Sequence, residues 1–288
     1  PIDGRVLLFT LIVTTLCSSL FGVGPARRAA RPDVSSGLRH QTARGTGRGI
    51  APRVRSTLVM VEVALSLVLL VASGLLLRSF VHLSQVDLGF TAERVLVTTT
   101  SYPVAGPTGT TEATGFYRDL VAQLRTLPGV RHAGGVMTLP FDTLRANSGY
   151  SVDGGPSSRD GKPLIAEIQM VTPGYFDTVS TPIRAGRDFD DRDLLGRPQV
   201  AIVNERLARE EFGDGNPLGR TIQTGMTPES RKGMQIIGVV ADARQRSPET
   251  PPRPEIFLPY LQHPGPGSRL TVLTQTSLEP GALAGSIR

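Results

Sequence analysis

The run Ser56–Leu77, STLVMVEVALSLVLLVASGLLL, decides how the rest of the chain is read. It is bounded by Arg55 and Arg78 and carries a single charge, Glu62. A helix of this length reaches roughly 33 Å at about 1.5 Å per residue, enough to cross a hydrocarbon core of about 30 Å. Glu62 stands two turns from Arg55, near one end, where a carboxylate costs far less than at the bilayer centre. It is read first as a polar contact inside a helix bundle and second as a coupling or pathway residue.

Working toward the start, Val6–Ala26 (VLLFTLIVTTLCSSLFGVGPA) is a second uncharged run, between Arg5 and Arg27. A signal peptide is the alternative reading, disfavoured by the length of the run, by Arg27 and Arg28 behind it and by the next span. Leu16-Cys17 would suit a lipoprotein site only with small apolar residues before it, and Thr14 and Thr15 stand there. Cys17, the one cysteine, is therefore taken as a packed span residue; alone it makes no internal disulfide and no cysteine metal site. Residues 27–55 hold eight arginines against Asp33, the signature of a cytoplasmic loop. Both spans then point outward, and everything after about residue 80 is expected outside the cytoplasm. A chain that begins at Pro1, almost inside a span, is read as a piece of something longer.

The charge follows the same division. Residues 1–80 carry a net +7 and the remainder a net −1, so the isoelectric point of about 10.1 belongs to the membrane-proximal part. The expected partner of that part is membrane lipid, and nucleic acid is not expected as a partner. With 288 residues, 39% hydrophobic and 19% charged, the chain is neither a collagen, a disordered tail nor a disulfide scaffold.

From Val81 onward, prolines punctuate short alternating or apolar runs, which reads as an α+β domain of about 200 residues. Strands are expected at 94–100, 130–137, 164–171, 199–203, 220–223, 235–241 and 270–275. Glu112–Leu127 is expected to be an amphipathic helix, with Phe116, Leu120, Val121 and Leu124 on one face and Pro128-Gly129 as its stop. Shorter helices are expected at Pro173–Val179, capped by Thr172, and at Asn204–Phe212, capped by Asn204 and ended by Gly213.

No catalytic, cofactor-binding or metal-binding residue is assigned. Gly155–Pro163 (GPSSRDGKP) has the wrong spacing for a phosphate loop and is read as a turn. His40, His82, His132 and His263 lack metal-ligand spacing. Asp188, Asp190, Asp191 and Asp193 place Arg192 and Asp193 where a calcium loop needs a ligand and a glycine, and are read as a solvated turn or helix cap. No cofactor is expected.

Eight short strings then stand in a particular order: Pro25-Ala26-Arg27-Arg28, Val59–Phe80, Leu127-Pro128-Gly129-Val130, Thr172-Pro173-Gly174-Tyr175-Phe176, Ala185-Gly186-Arg187-Asp188-Phe189, Ala201-Ile202-Val203-Asn204-Glu205, Asn216-Pro217-Leu218-Gly219 and Ile236-Ile237-Gly238-Val239-Val240. Together they resemble the MacB-like, FtsX-type permeases of ABC transporters, in the form that joins two permease units in one chain. The resemblance implies that residues 1–26 hold the last transmembrane helix of a preceding unit and residues 27–55 a cytoplasmic linker. It makes 56–80 the first helix of the next unit and 81–288 its periplasmic core domain, incomplete at the C-terminal end. Within that domain it implies a porter-like module, about 92–137 with 245 onward, and an inserted subdomain at about 145–240.

The function so implied is that of a multi-pass inner-membrane permease subunit without chemistry of its own. A separate cytoplasmic ABC ATPase would drive it, and its periplasmic domain would move for efflux or mechanotransmission. A periplasmic adaptor or outer-membrane component is a further candidate partner. Two other classes compete: a membrane-anchored extracytoplasmic sensor or adaptor, and a membrane-anchored enzyme acting on cell-wall or lipid substrates.

Overall fold

A computed structural model describes residue 4 and residues 8–15, 50–91, 93–103, 109–143, 145–263 and 269–277. Residues 8–15 are helical and exposed, with Thr14 and Thr15 hydroxyls bonded to the carbonyls one turn back at 2.8 Å. The remainder of the expected first span and the loop to residue 49 lie outside the described residues. The long helix α1 runs Ile50–Ser84, starting before and ending after the expected span. Its Val59–Ser84 part has a mean hydropathy of 2.4 and buries nothing in protein. Among the described residues it is the one helix long and apolar enough to cross a membrane, and Leu70 and Leu76 on it are more than 70% exposed. Apolar surface of that extent is unfavourable in water and is stable in lipid.

The chain falls into two compact units, residues 1–73 and 74–288, and the second holds the α+β domain. Its elements are β1 (Val95–Ser101), α2 (Gly109–Thr126), β2 (Val130–Val136), β3 (Asn147–Val152), β4 (Ser158–Arg159), β5 (Lys162–Pro163), β6 (Ile165–Val171), α3 (Tyr175–Thr178), β7 (Ile183–Gly186), β8 (Val200–Asn204), α4 (Glu205–Phe212), β9 (Thr221–Thr224), β10 (Met234–Val240), β11 (Glu255–Pro259) and β12 (Arg269–Thr276). The seven expected strands are present as β1, β2, β6, β8, β9, β10 and β12. The sequence reading missed β3, β7 and β11. It also took the small β4–β5 hairpin for a bare turn; Asp160 and Gly161 at its tip both have positive φ, as a two-residue hairpin turn requires.

Strand pairing closes on itself. β6 pairs with β11 and β8 with β10 in parallel, while β11 with β8, β10 with β9, β9 with β3 and β3 with β6 are antiparallel, which makes a ring of six strands. β2 joins the far end of β6 at Val136–Val171, β12 and β1 continue outward from β2, and β7 pairs with β10. β11, from the segment after 245, thus lies between two strands of the expected insert, so no sheet boundary separates the two expected modules.

Both faces of the central strands are covered, which is why β8 (VAIVN) and the centre of β11 (IFL) are runs of buried residues rather than alternations. Ala201, Val203, Ile256, Leu258, Ile168 and Met170 belong to one core. Val200, Ile202, Phe257 and Val171 belong to another on the opposite side. α2 covers the first core with Ala113, Tyr117, Val121 and Leu124, one stripe at helical spacing. α3 supplies Tyr175 and Phe176 to the second.

The capping expectations divide. Asn204 accepts a bond from Leu207 N at 3.1 Å and caps α4 as the sequence suggests. Thr172 does not cap α3. Its hydroxyl accepts from Gly135 N at 2.7 Å and ties the turn to β2, while Gly174, at φ 75°, occupies the cap position, so α3 starts two residues later than expected.

Candidate functional site

The structure shows how the segment that follows α1 is held. After α1, Asp87 Oδ1 accepts from Gly89 N at 2.9 Å and turns the chain. Leu88 O then accepts from Arg244 N at 2.8 Å, Thr91 N donates to Val179 O at 2.8 Å, and Thr181 Oγ1 donates to Gly89 O at 3.1 Å. Residues 88–91 are therefore bonded on two sides, to the 179–181 turn and to the 241–246 strap.

Gly89 is required at the centre of this joint. Its φ is +76°, and a Cβ would overlap the Asp242 carbonyl oxygen and lie 2.9 Å from Ala243 Cα. The backbone of Asp242 thus faces the joint while its side chain faces α4, where Oδ1 accepts from Arg206 N at 2.7 Å and Oδ2 from Arg209. Phe90 packs into the second core and against the Phe141 ring, with centroids 5.9 Å apart. Beside the joint, Ser180 holds a left-handed backbone at φ 56°. A cleft of about 250 Å³ opens here, between Asp87, Phe90, Arg184 and Glu205.

The strap continues from the joint into a buried charge cluster. Phe141 N donates to Gln245 O at 2.8 Å, and Arg246 pairs with Glu167. The parallel register of β6 and β11 sets Glu167 directly beside Glu255. Arg145 spans both, from Nε to Glu167 Oε2 at 2.8 Å and from Nη2 to Glu255 Oε1 at 3.1 Å, with all three side chains 6% exposed or less. Burial pushes Glu167 up, but its bonds to Arg246 and Arg145 outweigh this and leave it below the ordinary carboxylate range. Glu255 shares Arg145 with Glu167 and is paired with no second cation among the described residues; burial pushes its carboxyl up to about 8.

A second polar region surrounds Pro173. Arg125, from α2, donates to Ala133 O and Pro173 O, while Asp188 accepts from Gly174 N at 3.0 Å and Phe189 N at 2.7 Å. Clefts of about 370 and 400 Å³ are both lined by Arg125 and Pro173, and the second also by Asp188. The reading of the aspartate run as a solvated turn holds for Asp191 and is corrected for Asp193, which is 4% exposed. Asp193 takes a two-pronged bond from Arg187 at 2.7 and 2.9 Å and fastens the turn from inside. Asp188 is also drawn in, and burial pushes it up to about 6. The histidines do not converge: His82 is exposed on α1, His132 is exposed on β2, and His263 is buried against Thr227 Oγ1 at 3.0 Å. His40 lies outside the described residues.

Comparison with known proteins makes the α+β domain behind this apolar helix an ABC transporter permease-type periplasmic domain. A family model, the MacB-like periplasmic core domain, matches residues 56–287, and the chain belongs to that family. Among curated relatives, the macrolide export ATP-binding/permease protein MacB 1/2 of Paracoccus denitrificans is 32% identical over 33% of this chain and 13% of its own length. The MacB of Neisseria gonorrhoeae is 28% identical over 39% of this chain and 18% of its own. An uncharacterized ABC transporter permease of Bacillus subtilis, YknZ, is 32% identical over 26% and 18%. The matches therefore span less than a fifth of these relatives. Among solved structures, the periplasmic region of MacB from Actinobacillus actinomycetemcomitans is 18% identical, with a TM-score of 0.44, over 69% of this chain and 82% of that one.

The joint is what the sequence reading missed. Gly89 behind a span is visible in sequence, but its partners Asp242 and Arg244 stand more than 150 positions away, and no local pattern announces them.

Proposed function

We propose that the chain is a permease subunit of an ABC transporter in which α1 hands motion to the periplasmic domain through residues 88–91. The observation that carries this reading is the two-sided backbone grip on that segment, with Gly89 seated against Asp242. A segment bonded on both sides moves its neighbours when it is displaced; one tethered at a single point only swings. The energy comes from an ABC ATPase, on a separate chain or fused to this one. The names of the MacB relatives join ATP-binding and permease parts, which supports a fused form in those proteins.

In this reading Val6–Ala26 is a second span, residues 27–55 face the cytoplasm, and the domain stands in the periplasm of an inner-membrane, multi-pass protein. The domain comprises a porter-like module and an insert, and its movement serves efflux or mechanotransmission, with a periplasmic adaptor or outer-membrane component as a further partner.

The test is Gly89→Ala in the complete transporter. Its control is Gly161→Ala, which imposes the same positive-φ strain at a hairpin tip with open space around it. Gly89→Ala should lower transport several-fold while ATP hydrolysis continues, and Gly161→Ala should leave both intact. Wild-type transport by a folded Gly89→Ala protein would refute the joint as the point of coupling.

A further inference from the structure

The strap from Ala241 to Arg246 connects two features whose relation is informative. One end grips the segment behind the span through Arg244 N and Leu88 O, and the other enters the Glu167–Glu255 cluster through Gln245 and Arg246. In that cluster two carboxylates share one buried guanidinium, because Arg246 reaches only Glu167. Gln245 is 8% exposed, and its Oε1 has no hydrogen-bond donor among the described residues. Gln245 and Glu255 line the same small cavity, of about 10 Å³, together with Glu167, Arg246, Pro251 and Arg253.

A buried carbonyl oxygen without a donor is unfavourable, and so is a buried ionised carboxylate whose one guanidinium partner is shared. One proton on Glu255 relieves both. It removes the negative charge of the carboxylate that only a shared guanidinium faces, and supplies an O–H to the oxygen that lacks a donor. We infer that Glu255 is a proton-binding site, carrying its proton in the resting domain and offering it across the cavity to Gln245, so that loss of this proton loosens the strap's hold on residues 88–91.

The groups that face Glu255 agree with this. They are Arg145 from the segment before β3, Glu167 from β6, Asp242 from the strap and Tyr175 from α3, with Arg246 and Arg253 on the wall of the cavity. Arg145 is the cation paired with Glu255 among the described residues; Glu167 and Asp242 are acids that oppose a second negative charge. Arg246, 41% exposed, is the solvent-facing member of the cluster and marks the side from which a proton arrives. The carboxyl, pushed up to about 8 by burial, changes charge near neutral pH. The sign follows from linkage. A carboxyl whose folded value is raised from 4.5 to about 8 favours the closed form at low pH, and that contribution is lost as pH rises through 8. Any consequence for transport rests on the coupling role proposed above; the proton site itself does not.

Two measurements on the full chain in detergent test the inference without transport. The infrared carbonyl band of protonated carboxylic acids should contain a component that titrates away with a midpoint near 8, apart from the one Asp188 contributes near 6, and only the former should be lost in Glu255→Gln. Hydrogen-exchange protection of peptides covering 86–91 and 241–246, corrected for intrinsic rates, should fall by at least about tenfold between pH 6 and pH 8 and level off above pH 9. In Glu255→Gln, a neutral isostere, protection should stay high throughout. Glu255→Asp is the second variant, and should keep a titrating band at a shifted midpoint. Absence of the component with a midpoint near 8 in the wild-type chain, or the same pH dependence of exchange in Glu255→Gln, overturns the inference. Failure of Gly89→Ala to affect transport would instead strike the coupling role and leave these two readouts standing.

Discussion

Replacing Phe176 by alanine separates a scaffold from a contact surface. The ring is 1% exposed and is walled by Tyr175, at 5.5 Å and 70°, and by Phe257, at 5.0 Å and 78°. Phe257 belongs to β11, which is paired on both sides, so its wall has no freedom to collapse into the space the ring vacates. Truncation of a buried phenylalanine costs about 3–5 kcal/mol, and a rigid surround argues for the upper half of that range. With a urea slope of roughly 2 kcal/mol/M the unfolding midpoint should drop by about 2–2.5 M. Tyrosine fluorescence reports the transition well, because the chain has five tyrosines and no tryptophan, and Tyr117, Tyr150, Tyr175 and Tyr260 are all buried. A midpoint lowered by less than about 0.5 M would refute the scaffold assignment. Were stability unchanged and transport abolished, the ring would have to be a contact for cargo or partner.

Asp193→Asn removes the charge from the buried end of the Arg187 pair and should cost roughly 1.5–3 kcal/mol, whereas Asp191→Asn, on the exposed side of the same turn, should stay within about 0.5 kcal/mol; urea unfolding of the two side by side decides it. His263 is held neutral by burial, its value pushed down to about 4. A base lowered on folding loses stability as pH falls from its ordinary 6.5 toward 4, so the difference in unfolding free energy between wild type and His263→Gln should change over that window and be flat above pH 7.

Much of the domain was legible because its strongest local signals coincide with its real elements. Asn204 and Gly213 bracket α4 as caps do, and the spacing of Val121 and Leu124 on α2 matches the stripe that covers the first core. β11 was hidden by its own sequence. Pro251, Pro252 and Pro254 precede it, Pro259 ends it, and its first residue is a glutamate that any composition rule places outside. Only its neighbours β6 and β8, both distant in sequence, make an inward-facing Glu255 tenable, through Arg145 and through the bond from Glu255 N to Asn204 Oδ1 at 3.0 Å. β7 (IRAG) is too short to show an alternation, and β3 (NSGYSV) has turn-like composition, so neither carried a pattern. The joint and the charge cluster were illegible for the same reason as β11: each is made by residues that meet only after the sheet has formed.

The place of β11 in the ring also bears on how the domain comes into being. β6 and β8 are complete once residue 204 has been synthesised, yet the strand that lies between them begins at residue 255. During synthesis and export the earlier strands wait with open flanks until some fifty further residues have followed, and the long-range pairings that close the ring are of the slow kind. A chain cut short anywhere before Glu255 is left with two unpaired hydrophobic edges, an invitation to aggregate and a ready signal for quality-control proteases. Truncations for expression should therefore keep residues through Pro259, and a nonsense change as late as codon 250 should behave like loss of the whole domain.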